Sequence, residues 1–285
     1  MFLIQPIFTL PFGFALQIYG HTHFEVPIQR YSSGFGPPKR VHRTDPEYSD
    51  RLSRLEAKTV KAAMQSFLGT IGMRQDVIFL EEANPGFCAA AGTNYFTKGQ
   101  AAIKLEPGFY EADGAACIWL MKHEISHIKN NDAFTMNCIG FICQLAASIF
   151  GMYYLSFFPA CALAYTVGYV ALSIASRWRE AKADDFAIEN STDEELKGGL
   201  RCLTATKETI LELRNKQRNT FWSRWTISEQ GESRFDFSQP SLTSRIQKIE
   251  QAMKARGMTL GPDDKLPALK QYQAKRLQQL GVNTG

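Results

Sequence analysis

Apolar residues between positions 117 and 128 recur at steps of three and four: Cys117, Leu120, Met121, Ile125 and Ile128. That spacing predicts a buried amphipathic helix, and no proline falls between Pro107 and Pro159 to break it. Upstream, Leu52, Leu55, Met64, Phe67, Leu68 and Ile71 mark the apolar face of another helix, opened by Asp45-Pro46. Val77-Ile78-Phe79-Leu80 reads as a short buried strand, and residues 87–96 and 101–105 as two more around a Thr97-Lys98-Gly99 turn. Downstream, Thr192 to Glu195 fits a capping box that opens a helix to about Gln217. Residues 241–256 and 265–280 predict two further helices, the last of them polar. The expected fold class is mainly α with a small β-sheet (α+β). A sheet placed just before the central helix has an edge on which an extended peptide can add as a strand.

After Asp132 the charges stop: no Asp, Glu, Lys or Arg occurs from Ala133 to Ser176. Two segments of about 20 residues, parted near Ser156 and Pro159, fit a transmembrane hairpin. Lys122 and Lys129 flank its start, Arg177 and Arg179 flank its end, and its tip is uncharged. The positive-inside rule then puts both ends, and the helix before them, on the cytoplasmic side. The competing reading is a helical hairpin buried in a soluble domain, which Gln144 and the many small residues allow. The expected organisation is an apolar N-terminal arm and linker over 1–44, a domain over 45–256 holding the hydrophobic hairpin at 133–176, and a C-terminal polar helix over 257–285. The arm is broken by Pro6, Pro11 and Gly13, and lacks the basic start of a secretory signal, since Arg30 is the first cation. Residues 32–40 read as a Gly/Pro-rich linker.

Charge and cysteine usage narrow the partners. The net charge of +4 comes with no basic tract, so nucleic acid is not an expected partner. Six cysteines are scattered without Cys-x-x-Cys spacing, which points to free thiols in a reducing compartment.

The predicted central helix carries His123-Glu124-Ile125-Ser126-His127, a zinc-metalloprotease signature. Residues four apart share a helical face, so both imidazoles reach one ion. Glu124 lies about 100° round the axis, placed to reach water at that ion as a general base. A third ligand is needed. Directly after the apolar run, Arg177, Glu180 and Asp184 fall three and four apart on one face. Glu180 completes a two-His-one-Glu set with the fourth position left for water. Asp184, one turn on, is placed to accept the other ring N–H of a ligand histidine. The pair of His21 and His23 is another metal-capable spacing, read here as loop.

Together, HEISH, an apolar hairpin and SRWREAKADDFA resemble the HtpX-like and CAAX prenyl endopeptidase type I family of integral-membrane zinc metallopeptidases, over roughly residues 45–255. The resemblance implies a gluzincin-like domain with an inserted hydrophobic hairpin. It also implies one zinc per chain on His123, His127 and Glu180, with Glu124 as base and Asp184 supporting the ligands. A metzincin layout fits worse, because its third histidine would fall on Ala133 and its glycine on Asn130. The family's His-Pro pair before an Arg-Ile helix is represented by Gln239-Pro240, ahead of Arg245-Ile246. Gln239 keeps an N–H donor for an oxyanion but carries no charge. The expected activity is zinc-dependent endopeptidase action on protein or peptide substrates, at a lipid membrane, with the catalytic domain facing the cytoplasm. The alternative is a pseudo-protease, a membrane-anchored binding or regulatory protein.

Overall fold

The structure, a computed structural model, describes residues 26–28, 39–41, 58–73, 76–81, 89–93, 100–106, 108–155, 157–216, 228–230, 232, 239–258 and 266–279. The apolar arm over 1–20, the His21/His23 pair and the helix start at Asp45 lie outside them. Strands β1 (Val26–Ile28) and β2 (Lys39–Val41) pair antiparallel, the second ending the stretch read as a linker. Helix α1 (Lys58–Thr70) leads to a three-stranded sheet of β3 (Asp76–Glu81), β4 (Ala89–Thr93) and β5 (Gln100–Leu105). Its order is β3-β5-β4, with β3 parallel and β4 antiparallel to β5. Val77 and Phe79 sit opposite Ala101 and Ile103, and all four are buried on one face, as the two-residue side-chain period of a strand requires.

A short turn of helix, α2 (Phe109–Ala112), precedes α3 (Gly114–Lys129), which is the helix predicted from the 117–128 pattern. Cys117, Met121, Ile125 and Ile128 join Met64, Phe79, Ile103 and Phe109 in one core cluster. Trp119, on another side of α3, packs with Leu196, Leu203, Ile249 and Met253 in a second. The helix is therefore enclosed by two cores. Each large apolar side chain fully buried there stabilises the fold by about 1.5–3 kcal/mol relative to exposure. Asp113 opens α3 in extended backbone, its carboxylate accepting from the Ala116 N–H at 3.1 Å. The same carboxylate is gripped by Arg201, with Nε donating at 2.6 Å and Nη2 at 3.2 Å, in a buried pair.

Arg201 belongs to α6 (Asp193–Lys216), which begins with the predicted capping box: Thr192 N–H donates to Glu195 at 2.7 Å and the Thr192 hydroxyl accepts from the Glu195 N–H at 3.4 Å. Helix α6 crosses α3 with almost no gap. A Cβ added at Gly198 would lie 2.4 Å from the Ala116 nitrogen, and one at Gly199 would lie 2.5 Å from the Trp119 ring. Alanine gains about 0.5–1 kcal/mol over glycine in a helix, whereas overpacking costs about 1–3 kcal/mol. At Gly198 the obstacle is backbone, which cannot swing aside, so overpacking wins. Gly198→Ala is expected to lower the urea midpoint, and an unchanged or raised midpoint would show that the helices separate freely. The domain closes with α7 (Leu242–Ala255) and α8 (Leu266–Gln279) packed on α6. Both were expected.

Between α3 and α6 the charge-free run folds as α4 (Asp132–Tyr154) and α5 (Phe157–Glu189), an antiparallel helical hairpin. Small residues set its close approach: a Cβ at Gly151 would meet Ala160 at 2.7 Å, and one at Gly168 would meet Gln144 at 2.7 Å. The expected membrane span is not supported, since among the described residues no helix is long and apolar enough to cross a membrane. Freedom from charge is a weaker condition than continuous apolarity, and Asn137, Gln144, Ser148, Thr166 and Ser173 dilute the two arms. The flanking cations also have other uses. Lys122 is buried, its ammonium donating to Glu195 and to the Asn190 carbonyl, each at 2.7 Å. The four described cysteines, Cys117, Cys138, Cys143 and Cys202, are free thiols.

Candidate metal centre

Helix α3 presents His123 and His127 from consecutive turns, and α5 crosses them with Glu180. His123 Nε2 and His127 Nε2 stand 3.2 Å apart. Glu180 closes the triangle with Oε2 at 3.3 Å from His123 Nε2 and Oε1 at 3.5 Å from His127 Nε2. These spacings can be compared with what an ion demands. Donors bound at about 2.0–2.1 Å in tetrahedral geometry lie about 3.3 Å from one another. The His–His separation matches that value, and each imidazole lies at close to that distance from one of the two Glu180 oxygens; the trio is the candidate metal cluster among the described residues. The donor set therefore fits zinc, with two imidazole nitrogens and one carboxylate.

Each histidine turns its other nitrogen to a carboxylate. His123 Nδ1 lies 3.0 Å from Asp184 Oδ1, and His127 Nδ1 lies 2.7 Å from Asp132 Oδ2. The His127–Asp132 contact is a hydrogen bond and the His123–Asp184 contact an ion-pair approach; with each carboxylate at Nδ1, Nε2 faces the metal position. Asp184 is held in turn by Arg245 of α7, whose Nε and Nη2 each donate at 2.7 Å to the two carboxylate oxygens. Asp132 is approached by Arg179, with Nε 3.4 Å from its carboxylate, and Arg179 Nη2 also lies 3.6 Å from Glu180. Two parallel chains result: Arg245–Asp184–His123 and Arg179–Asp132–His127.

Of the residues singled out in the sequence, His123, His127, Glu180 and Asp184 come together. Glu124 is half-buried beside His123 and contributes to that ring's field. Arg177, grouped above with Glu180 and Asp184, is instead exposed and faces a cavity along α5. Its place against the ligands is taken by Arg179. Gln239 is exposed, just ahead of Pro240 and the α7 N-cap Ser241. Asp132 and Arg179 carried no assigned role in the sequence. The signal for Asp132 was the Asn130-Asn131 pair, because asparagine tolerates left-handed backbone. Asn131 adopts φ 50°, which ends α3 and folds Asp132 back onto His127.

Charge in the centre is arranged for a cation. Burial opposes charging of His123, but the carboxylates of Asp184 and Glu180 outweigh it and push the pKa to about 9. Burial likewise opposes ionisation of Glu180 and Asp184. His123 overrides it at Glu180, and His123 and Arg245 at Asp184, so both carboxyls are lowered to about 2. In the metal-free protein His123 thus holds a proton that a metal must displace. The folded pKa lies above the ordinary 6.5, so this proton is present at neutral pH and is lost as pH rises through about 9. Zinc affinity is expected to rise about tenfold per pH unit between about 7 and 9, with one proton released per zinc. Calorimetric titration in buffers of differing ionisation enthalpy measures that proton. None released at pH 7 would mean that His123 is neutral in the folded protein.

A helix-borne His-Glu-x-x-His pair, closed by a carboxylate from a second helix, defines a metallopeptidase-type centre. The family model of Peptidase family M48 matches residues 111–253, half of the chain, and the chain belongs to that family. No curated protein and no solved structure matches it.

Proposed function

We propose that the protein is a zinc-dependent metalloendopeptidase that hydrolyses peptide bonds with Glu124 as general base. The observation that carries the reading is the donor triangle of His123, His127 and Glu180, with edges of 3.2, 3.3 and 3.5 Å. A zinc ion held there supplies Lewis acidity, polarising the scissile carbonyl and easing deprotonation of water. Glu124, on the same helix and next to the first ligand, accepts the proton of the attacking water and passes it to the leaving amine. His123 and His127 stay oriented by Asp184 and Asp132, so neither ring flips out of position during turnover. Gln239, whose neighbour Pro240 lines a cavity along α5, is assigned the role of amide N–H donor to the developing oxyanion. Strand β4, an outer strand of the sheet, runs against α3, which favours an extended substrate paired along that edge.

We also infer that the protein associates with a lipid membrane through the hairpin, with the catalytic side towards the cytoplasm. Ile142, Phe150, Tyr153, Tyr154 and Tyr165 are exposed on α4 and α5; aromatic residues of this kind favour an interface. Lys129 and Arg177, both exposed at the catalytic end, support that orientation.

The test is metal content and cleavage of an unfolded protein substrate, with and without a chelator. The expected result is about one zinc per chain, cleavage lost on chelation and restored by zinc. Zinc bound without cleavage of any substrate would favour the pseudo-protease reading, and no bound zinc would remove the assignment of the centre.

A further inference from the structure

We propose that a cavity of about 690 Å3 along α5 is the subsite that takes a bulky apolar side chain of the substrate beside the scissile bond; this rests on the peptidase reading above. The cavity is built on α5 and α7, the helices that carry Glu180, Asp184 and Arg245. On α5 it runs from Tyr169 to Ala181, the neighbour of Glu180. Ser173, in its lining, is seven residues before Glu180 and so points to nearly the same side of the helix. The opposite wall is Pro240 and Ser244 at the start of α7, and Ser244 adjoins the Arg245 that grips Asp184. A polypeptide that runs from the metal centre towards the start of α7 would therefore enter this cavity.

Its chemistry selects the occupant. Val170, Tyr169, Ile174 and Trp178 form the wall, with Ile174 66% and Trp178 61% exposed. Large apolar groups left open in a concave surface mark a binding site. Among the described residues no acidic side chain lines the cavity, so a Lys or Arg side chain finds no counter-charge. Among the described residues the one charged side chain in the lining is Arg177, one turn before Glu180, and it forms no ion pair with them. We assign its guanidinium, which lines the cavity, to the substrate main chain, since its donors suit backbone carbonyls. The occupant is then a Phe, Trp, Leu or Met side chain with its backbone turned towards Arg177.

The experiment uses the full-length, zinc-loaded chain and a mixed peptide library, with cleavage sites mapped by mass spectrometry. Wild type is expected to prefer a large apolar residue at one fixed position flanking the cut, and to cut peptides with alanine there more slowly. Ile174→Asp is expected to lower kcat/KM for those peptides by about 10–200-fold, with zinc content unchanged and alanine-containing peptides cut as before. An unaltered cleavage profile in Ile174→Asp overturns the subsite. So does loss of binding to phosphatidylcholine–phosphatidylglycerol vesicles with the profile intact, which would assign this wall to lipid. If wild type cuts nothing, the peptidase reading fails first, and the cavity is judged by Trp178 emission. A change on adding N-acetyl-phenylalanine amide but not N-acetyl-alanine amide, absent in Trp178→Phe, supports the subsite. Equal response to both amides, or to neither, overturns it.

Discussion

Glu124→Gln is expected to reduce turnover by about 10²–10⁴-fold while zinc remains bound at the wild-type level. The substitution keeps the size of the side chain but replaces a basic carboxylate with an amide too weakly basic to take a proton. Glu124 is not one of the three donors, so the metal triangle is untouched. Glu180→Ala removes a corner of that triangle and is expected to lose zinc and activity together. The pair of variants separates chemistry from binding: metal content by mass spectrometry of intact, buffer-exchanged protein, and kcat on a cleaved peptide. Full zinc-dependent activity in Glu124→Gln would pass the base role to another group. Loss of zinc in the same variant would make Glu124 a ligand and break the two-His-one-Glu assignment.

The local part of this centre was legible because helices repeat. The step of four puts His123 above His127, and the step of four from Glu180 to Asp184 puts the second carboxylate one turn beyond the first. The same regularity recovered the capping box at Thr192 and the buried face of α3. What was not legible depends on how helices meet and how far long side chains reach. Asp132 lies five residues after His127 and becomes its partner only because Asn131 turns left-handed. Arg177 and Arg179 are two residues apart, and helical phase favours the first as the neighbour of Glu180; the crossing of α4 over α5 brings the second to Asp132 and Glu180 instead. Lys122 read as a cation flanking a membrane run, yet its stem crosses to α6 and its charge closes on Glu195. The Asp113–Arg201 pair joins residues 88 apart in sequence, a distance that no periodicity reports. Charge-free length misled for a related reason. Counting charges ignores the amides and hydroxyls that interrupt an apolar face.

Arg245→Met is expected to cost about 3–5 kcal/mol of stability, because it leaves the Asp184 carboxylate buried without its partner. Both groups are nearly inaccessible, and the contact is bidentate with two 2.7 Å hydrogen bonds. Removing both charges tells a different story. A buried ion pair replaced by apolar groups of similar size is often neutral or stabilising, so the double variant Asp184→Leu/Arg245→Met is expected to recover most of the lost stability. It should not recover the metal. Asp184 also steadies His123 at 3.0 Å, and losing such a partner typically weakens metal affinity by about 10–100-fold. Urea unfolding of the metal-free proteins and competitive zinc titration of the same samples read the two effects separately. Recovered stability with weakened zinc binding would place the reason for this ion pair in the metal centre. Recovered stability with zinc affinity at the wild-type level would reduce Arg245–Asp184 to a packing contact between α5 and α7, leaving His123 to be held by the walls of the second core alone.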